Sequence, residues 1–169
     1  MTLEEAIKTA LEYETRIRDA YLEAVKVTED AAGRKIFQQL ADDEQRHVDY
    51  LEYKLTQWKE SGSITVDELE STIPPREVIQ KHAARMREHV TGEFRGLKEQ
   101  MLSKALQLEL DTSNFYRQMV DQMSDEGQQM FARFLEIEDN HVEAVQFELE
   151  HVGHMGYWFG FEEFDVEEG

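Results

Sequence analysis

At 169 residues the chain is long enough for one domain with a real core. With 2 Pro and 9 Gly against recurring Glu, Gln, Leu, Ala and Met, its composition favours helix. The absence of Cys excludes disulfides, thiolate metal sites, iron–sulfur clusters and Cys nucleophiles. A formal charge of −19 disfavours nucleic acid and anionic membrane as partners and mildly favours cations. No apolar run approaches a membrane span, and Met1-Thr2-Leu3-Glu4-Glu5 lacks the layout of a signal segment, so a cytoplasmic protein is expected.

Thr2 and Glu5 form a capping-box signature that starts a first helix running to about Thr28. Glu29-Asp30-Ala31-Ala32-Gly33 predicts a turn, and a second helix then runs to about Lys59. Ser61-Gly62-Ser63 ends it, and residues 61–76, which include Ile73-Pro74-Pro75, predict an extended connection. A short helix is expected from Glu77 to His89. Gly92 and Gly96 weaken the helix before a third long one, about Leu97 to Met123. Ser124-Asp125-Glu126-Gly127 predicts the next turn, and a fourth long helix runs to about Val152. The expected fold is therefore all-α: two helix pairs joined by a long crossover (about 61–96), filling 1–152, with an acidic, aromatic tail at 153–169.

Each long helix carries an apolar stripe at alternating steps of three and four. The first gives Leu3, Ile7, Ala10, Glu14, Ile17, Tyr21 and Ala24; the second Phe37, Leu40, Glu44, His47, Leu51, Leu55 and Trp58. The third gives Leu102, Ala105, Glu109, Thr112, Tyr116, Met119 and Met123; the fourth Phe131, Phe134, Glu138, His141, Val145, Leu149 and Val152. Every stripe is broken near its middle by an ionisable group. Four carboxylates and two imidazoles would thus share one core, at a cost of many kcal/mol unless paired, protonated or bound to metal. Divalent cations are the simplest remedy.

The two halves also repeat. Ala10-Leu11, Glu14 and Tyr21 recur 95 positions later as Ala105-Leu106, Glu109 and Tyr116. Phe37, Glu44 and His47 recur 94 later as Phe131, Glu138 and His141. Two equivalent half-sites across a pseudo-twofold axis suit a pair of equivalent ions. Glu and His at i and i+3 share a helical face and can reach one centre. A Glu from each of two helices plus Glu-x-x-His from each of the others is the dinuclear carboxylate constellation. It assigns Glu14 and His47 to one ion, Glu109 and His141 to the other, and Glu44 and Glu138 as bridges. Oxygen-rich ligation with one imidazole per ion suits two Fe or Mn ions; Zn can bind adventitiously.

Glu14, Tyr21, Glu44-x-x-His47, Glu109, Tyr116 and Glu138-x-x-His141 resemble the ferritin-like superfamily over residues 1–152, most closely its rubrerythrin-like branch. The resemblance implies a ferritin-like four-helix bundle and a di-iron oxidoreductase that oxidises Fe(II) or reduces hydrogen peroxide or dioxygen. It also implies a homodimer and an electron donor. With no Cys the rubredoxin module is absent from these residues, so the donor would be external, such as a rubredoxin-like protein. Peroxidase members carry an extra Glu one turn after the third-helix ligand, where this sequence has Thr112, and the site looks as much like a ferroxidase centre. An iron storage or delivery protein and an acidic helical oligomerisation module are the alternatives.

Other residues carry weaker signals. Glu148-x-x-His151 is a third match, but Lys54 and Gln57 stand at its counterpart positions and the seam has drifted to Leu149, so it is expected on the surface. Tyr21 and Tyr116, two turns from a Glu on the same face, either hydrogen-bond a bridging carboxylate or simply fill the core. His82 and His89 lie outside the seams and are expected in solvent. His154 and the tail aromatics Tyr157, Trp158, Phe159, Phe161 and Phe164 would cover a bundle end or a dimer surface.

Overall fold

A computed structural model describes residues 1–87, 96–155 and 158–161, with side chains at 1–82, 96–153 and 158–161. Among these residues there are five helices and no strand: α1 (Leu3–Val27), α2 (Ala31–Ser61), α3 (Arg76–Arg87), α4 (Gly96–Gln122) and α5 (Asp125–Met155). None is long and apolar enough to cross a membrane. His89 and Gly92, and the side chains of His154, Tyr157 and Phe164, lie outside the described part.

Local chemistry sets the ends. The capping box forms as the sequence predicts: Glu5 N donates to Thr2 Oγ1 (3.2 Å) and Thr2 N to Glu5 Oε2 (2.8 Å). Asp30 caps α2 by accepting from Gly33 N (3.1 Å), so the predicted turn shrinks and Gly33 belongs to the first turn of the helix. Gly62 ends α2 in the left-handed region (φ 70°), two residues beyond the predicted stop. The expected 124–127 turn shortens likewise, because α5 already begins at Asp125.

Gly33 is needed for space. A Cβ there would lie 2.6 Å from the Trp158 indole, which packs edge-on against Phe37 (5.2 Å). Gly33→Ala should therefore destabilise by about 1–3 kcal/mol through overpacking, although Ala gains about 1 kcal/mol over Gly in helix propensity. Urea unfolding measures this; a stabilised variant would mean that Trp158 does not sit there.

The core is two apolar clusters. One contains Ile17, Tyr21, Phe37, Leu40, Leu102, Ala105, Val145 and Leu149. The other contains Ile7, Ala10, Leu51, Tyr116, Met119, Phe131, Phe134 and Ile137. Stripe residues near helix ends, Leu3, Leu55, Trp58 and Met123, are only partly buried. In every long helix the ionisable positions fall between the stretches that feed the two clusters, so polar groups form a plate between two apolar plugs. α1 and α5 pass from the second cluster to the first; α2 and α4 pass the other way. α1 packs on α2, α4 on α5, α1 on α4, and α3 on α5.

Residues 62–75 run back along α2. Thr65 N donates to Gln57 Oε1 (3.0 Å), Lys54 Nζ to Thr65 O (2.5 Å), and Tyr50 OH to Asp67 O (2.9 Å). Further on, Ser71 Oγ donates to Asp43 Oδ2 (2.7 Å) and Gln39 Nε2 to Thr72 O (3.2 Å). Arg133 of α5 holds Leu69 O from the other side (2.8 and 3.1 Å). The strap thus ties α2 to α5. Lys54, fully buried, is paired with Asp67, as a desolvated ammonium must be.

Candidate metal centre

All six predicted residues meet in the polar plate, and each is fully buried: Glu14 from α1, Glu44 and His47 from α2, Glu109 from α4, and Glu138 and His141 from α5. Two groups of four emerge, Glu14–Glu44–His47–Glu138 and Glu44–Glu109–Glu138–His141. Within each, one donor atom per residue lies within 4.8 Å of the others. Glu44 and Glu138 belong to both groups.

The imidazoles point Nδ1 into the plate. His47 Nδ1 lies 3.4 Å from Glu14, 3.2 Å from Glu44 and 3.3 Å from Glu138. His141 Nδ1 lies 2.7 Å from Glu44 and 3.4 Å from Glu109. The rings stack at 5.5 Å. The tyrosines resolve in favour of hydrogen bonds, but not to the residues shared by both groups. Tyr21 OH donates to Glu109 Oε1 and Tyr116 OH to Glu14 Oε1, both at 2.6 Å. Each tyrosine therefore reaches across α1 and α4 to the carboxylate of the other half.

Charge is distributed unevenly. Burial pushes every carboxyl up, but the His47 imidazolium beside Glu14 outweighs it and brings Glu14 down to about 2. His141 lowers Glu109 in the same way. Burial and the charges of Glu14 and Glu109 push Glu44 well above the usual range; burial with Glu14, Glu44 and Glu109 does the same to Glu138. Burial opposes the imidazolium forms, yet Glu14 and Glu44 raise His47 to about 10, and Glu109 and Glu44 raise His141. Protons in the metal-free plate are thus drawn toward Glu44, Glu138 and the two imidazoles and away from Glu14 and Glu109.

Asp43 is the residue the stripe pattern missed. It is fully buried, and its Oδ2 lies 2.6 Å from His141 Nε2 and 3.8 Å from His47 Nε2. Ser71 Oγ, Thr72 N (3.2 Å) and Arg46 (2.5 Å) fix it. Both histidines push Asp43 far down against its burial. A carboxylate on the outer ring nitrogen fixes tautomer and ring orientation and raises the basicity of the inner one. Its counterpart in the repeat is Ile137, so the halves are not equivalent: His141 is held closely and His47 is not.

The donors fit a cation. Glu44 Oε2, Glu109 Oε2 and both oxygens of Glu138 are buried without a hydrogen-bond partner. Leaving such groups unsatisfied costs about 1–3 kcal/mol each, more when charged. Inward-facing carboxylate oxygens with one imidazole per group supply the chemistry of a divalent-ion site. Thr112 brings no carboxylate to it, and its hydroxyl donates to Leu108 O (2.8 Å).

The third motif is not on the surface. Glu148 is fully buried and accepts from Phe159 N (3.0 Å) and Gly160 N (2.8 Å); His151 is 7 % exposed and packs on Phe147 and Phe159. Both stay outside the two four-donor groups. Glu148 instead mirrors Lys54, since each clamps chain eleven residues ahead of it, Phe159 and Thr65 respectively. His82 is half-buried rather than solvated, with its ring against Phe147 (6.5 Å) and Phe159 (6.1 Å). Among the tail aromatics, Trp158 and Phe161 are buried in the first cluster and cover that end of the helices.

No family model matches the chain, and neither a curated protein nor a solved structure matches it. The class defined by the geometry is an all-helical protein with buried carboxylate–histidine groups at metal-binding distance.

Proposed function

We propose that the chain is a ferritin-like four-helix bundle with one long crossover, whose central plate holds two metal ions, iron by preference. In this reading it is a di-iron oxidoreductase of rubrerythrin or ferritin type that oxidises Fe(II) or reduces hydrogen peroxide or dioxygen. The observation that carries it is the pair of four-donor groups sharing Glu44 and Glu138, with their unpartnered oxygens turned inward. The shared directions of α2 and α4, and the strap running back along α2, support the crossover. Glu14 and His47 would hold one ion, Glu109 and His141 the other, and Glu44 and Glu138 would bridge them.

Bound as ferrous ions, the pair would supply Lewis acidity and the two electrons that convert hydrogen peroxide, with two protons, into two waters. The chain does the rest. Tyr21 and Tyr116 fix one oxygen of Glu109 and of Glu14; the other oxygen of Glu109 has no hydrogen-bond partner, and that of Glu14 faces His47 Nδ1 (3.4 Å). Asp43 holds the His141 ring against rotation. The two apolar plugs limit water around the plate.

Anaerobic protein loaded with Fe(II) should be oxidised completely by one equivalent of hydrogen peroxide per chain in stopped flow. Because these residues contain no Cys, sustained consumption should require an external donor, such as a rubredoxin-like protein, or fresh Fe(II). The Thr112 hydroxyl, turned onto its own helix, favours a ferroxidase-type site over one that exchanges a ligand there. A single round of loading and oxidation, with no turnover even when fresh Fe(II) or a donor is added, would identify a storage or delivery protein. No reaction with either oxidant would contradict the redox reading.

A further inference from the structure

A cavity of ≈ 140 Å³ lies between α1 and α4 beside the plate, walled by Ala20, Tyr21, Ala24, Phe37, Met101 and Ala105. Its outer rim is Val27 and Leu97, which are 44 % and 57 % exposed, with Glu23 and Lys104 beside them. Its inner wall is the ring of Tyr21, whose hydroxyl is bonded to Glu109. An apolar chamber thus leads from solvent to within one side chain of the candidate metal centre.

The repeat shows that the chamber is not an automatic product of the helix packing. Phe115 and Met119 stand where Ala20 and Ala24 stand, and only Ala6 faces them where Met101 faces the cavity. The balance is about one aromatic ring. Phe115 fills that ground, packing on Tyr13 (5.0 Å), Tyr116 (5.5 Å) and Phe131 (6.4 Å). The Tyr116 side of the plate is closed, and the Tyr21 side is open.

We propose that this cavity binds a small apolar molecule of dioxygen's class and delivers it to the Tyr21 side of the plate alone. Its walls offer an anion nothing but the Tyr21 hydroxyl, already engaged, and the rim lysine. A mainly apolar space of this size takes up gas atoms and small apolar solutes because its walls offer water few polar partners. Binding itself does not depend on metal; delivery to an oxidisable centre rests on the function proposed above.

Xenon is the probe. Crystals of metal-free protein pressurised with xenon should show an anomalous peak against Tyr21, Phe37 and Ala105. Ala24→Met, which installs the residue of the closed half, should remove the peak. Ala20→Phe should do the same, which guards against one variant failing to fold. Both variants should still take up two Fe(II) per chain, and their oxidation by dissolved dioxygen should be about tenfold slower. Absence of xenon from the wild-type cavity would overturn the proposal. So would unchanged dioxygen kinetics in a variant that excludes xenon. Failure to bind Fe(II) would refute the metal reading and leave the xenon result standing by itself.

Discussion

Loading metal-free protein with two Fe(II) per chain under nitrogen should release protons at neutral pH. Glu44 and Glu138, pushed up by burial and by their ionised neighbours, are one source. His47, near 10, and His141, raised by Glu109 and Glu44, are the other, through the nitrogen that becomes a ligand. Glu14 and Glu109, already ionised, release none. Calorimetry in buffers of different ionisation enthalpy counts the protons; a count near zero would mean that the metal binds elsewhere.

The same shifts set the pH dependence of stability. For the raised groups, Glu44, Glu138, His47 and His141, the protonated folded state is the favoured one. Their contribution is complete below the unfolded pKa, near 4.5 for Glu and 6.5 for His, and is lost as pH rises toward the folded value. Lowered Glu14 contributes above 4.5 and loses its contribution as pH falls toward about 2. Between pH 5 and 8 the metal-free protein should therefore weaken, while metal affinity rises as protons cease to compete. An ion at 100 times its Kd adds about 2.7 kcal/mol, and in a chain of this size each kcal/mol moves Tm by about 2–4 °C. Two ions should then raise Tm by about 10 °C or more at pH 8 and by clearly less at pH 5. Equal melting temperatures with and without Fe(II) at pH 8 would rule out a buried dinuclear site.

Substitution separates the three Glu-x-x-His motifs. Glu44→Ala or Glu138→Ala should abolish paired binding, because each removes a donor common to both groups. The metal-free Glu44 variant also strands His141, whose Nδ1 lies 2.7 Å from Glu44, and should melt below the parent. Glu148→Ala should differ in binding. It keeps two ions per chain but strands the amides of Phe159 and Gly160, at about 1–3 kcal/mol each for whatever part stays buried. Inductively coupled plasma mass spectrometry with thermal melts on the three variants tests both halves. Equal metal loss in the Glu148 variant would contradict the choice of motifs.

How much of this was legible in the sequence follows from what periodicity encodes. The six donors were legible because each interrupts an apolar stripe and most of their surroundings repeat 94 or 95 positions later. The tyrosine bonds were half legible: spacing put Tyr21 and Tyr116 on the inward face, but only tertiary packing joins Tyr21 to Glu109 and Tyr116 to Glu14. Asp43 was hidden because it lies one residue off the stripe and its counterpart is the apolar Ile137; its partners come from the aperiodic strap. The burial of Glu148 is hidden for the same reason. Its partners are backbone amides of the tail, which leave no pattern in side chains. In the sequence Gly33 reads as a turn glycine, because the Trp158 ring that requires it is remote.

The most direct test of a dinuclear plate is anomalous scattering at the iron and zinc edges from crystals of the Fe(II)-loaded protein. Two peaks about 3.5–4 Å apart are expected, one within reach of Glu14 and His47, the other of Glu109 and His141, with Glu44 and Glu138 between them. Both should be strong at the iron edge. No peak in the plate, a single peak there, or a peak at Glu148 and His151 instead would contradict the account.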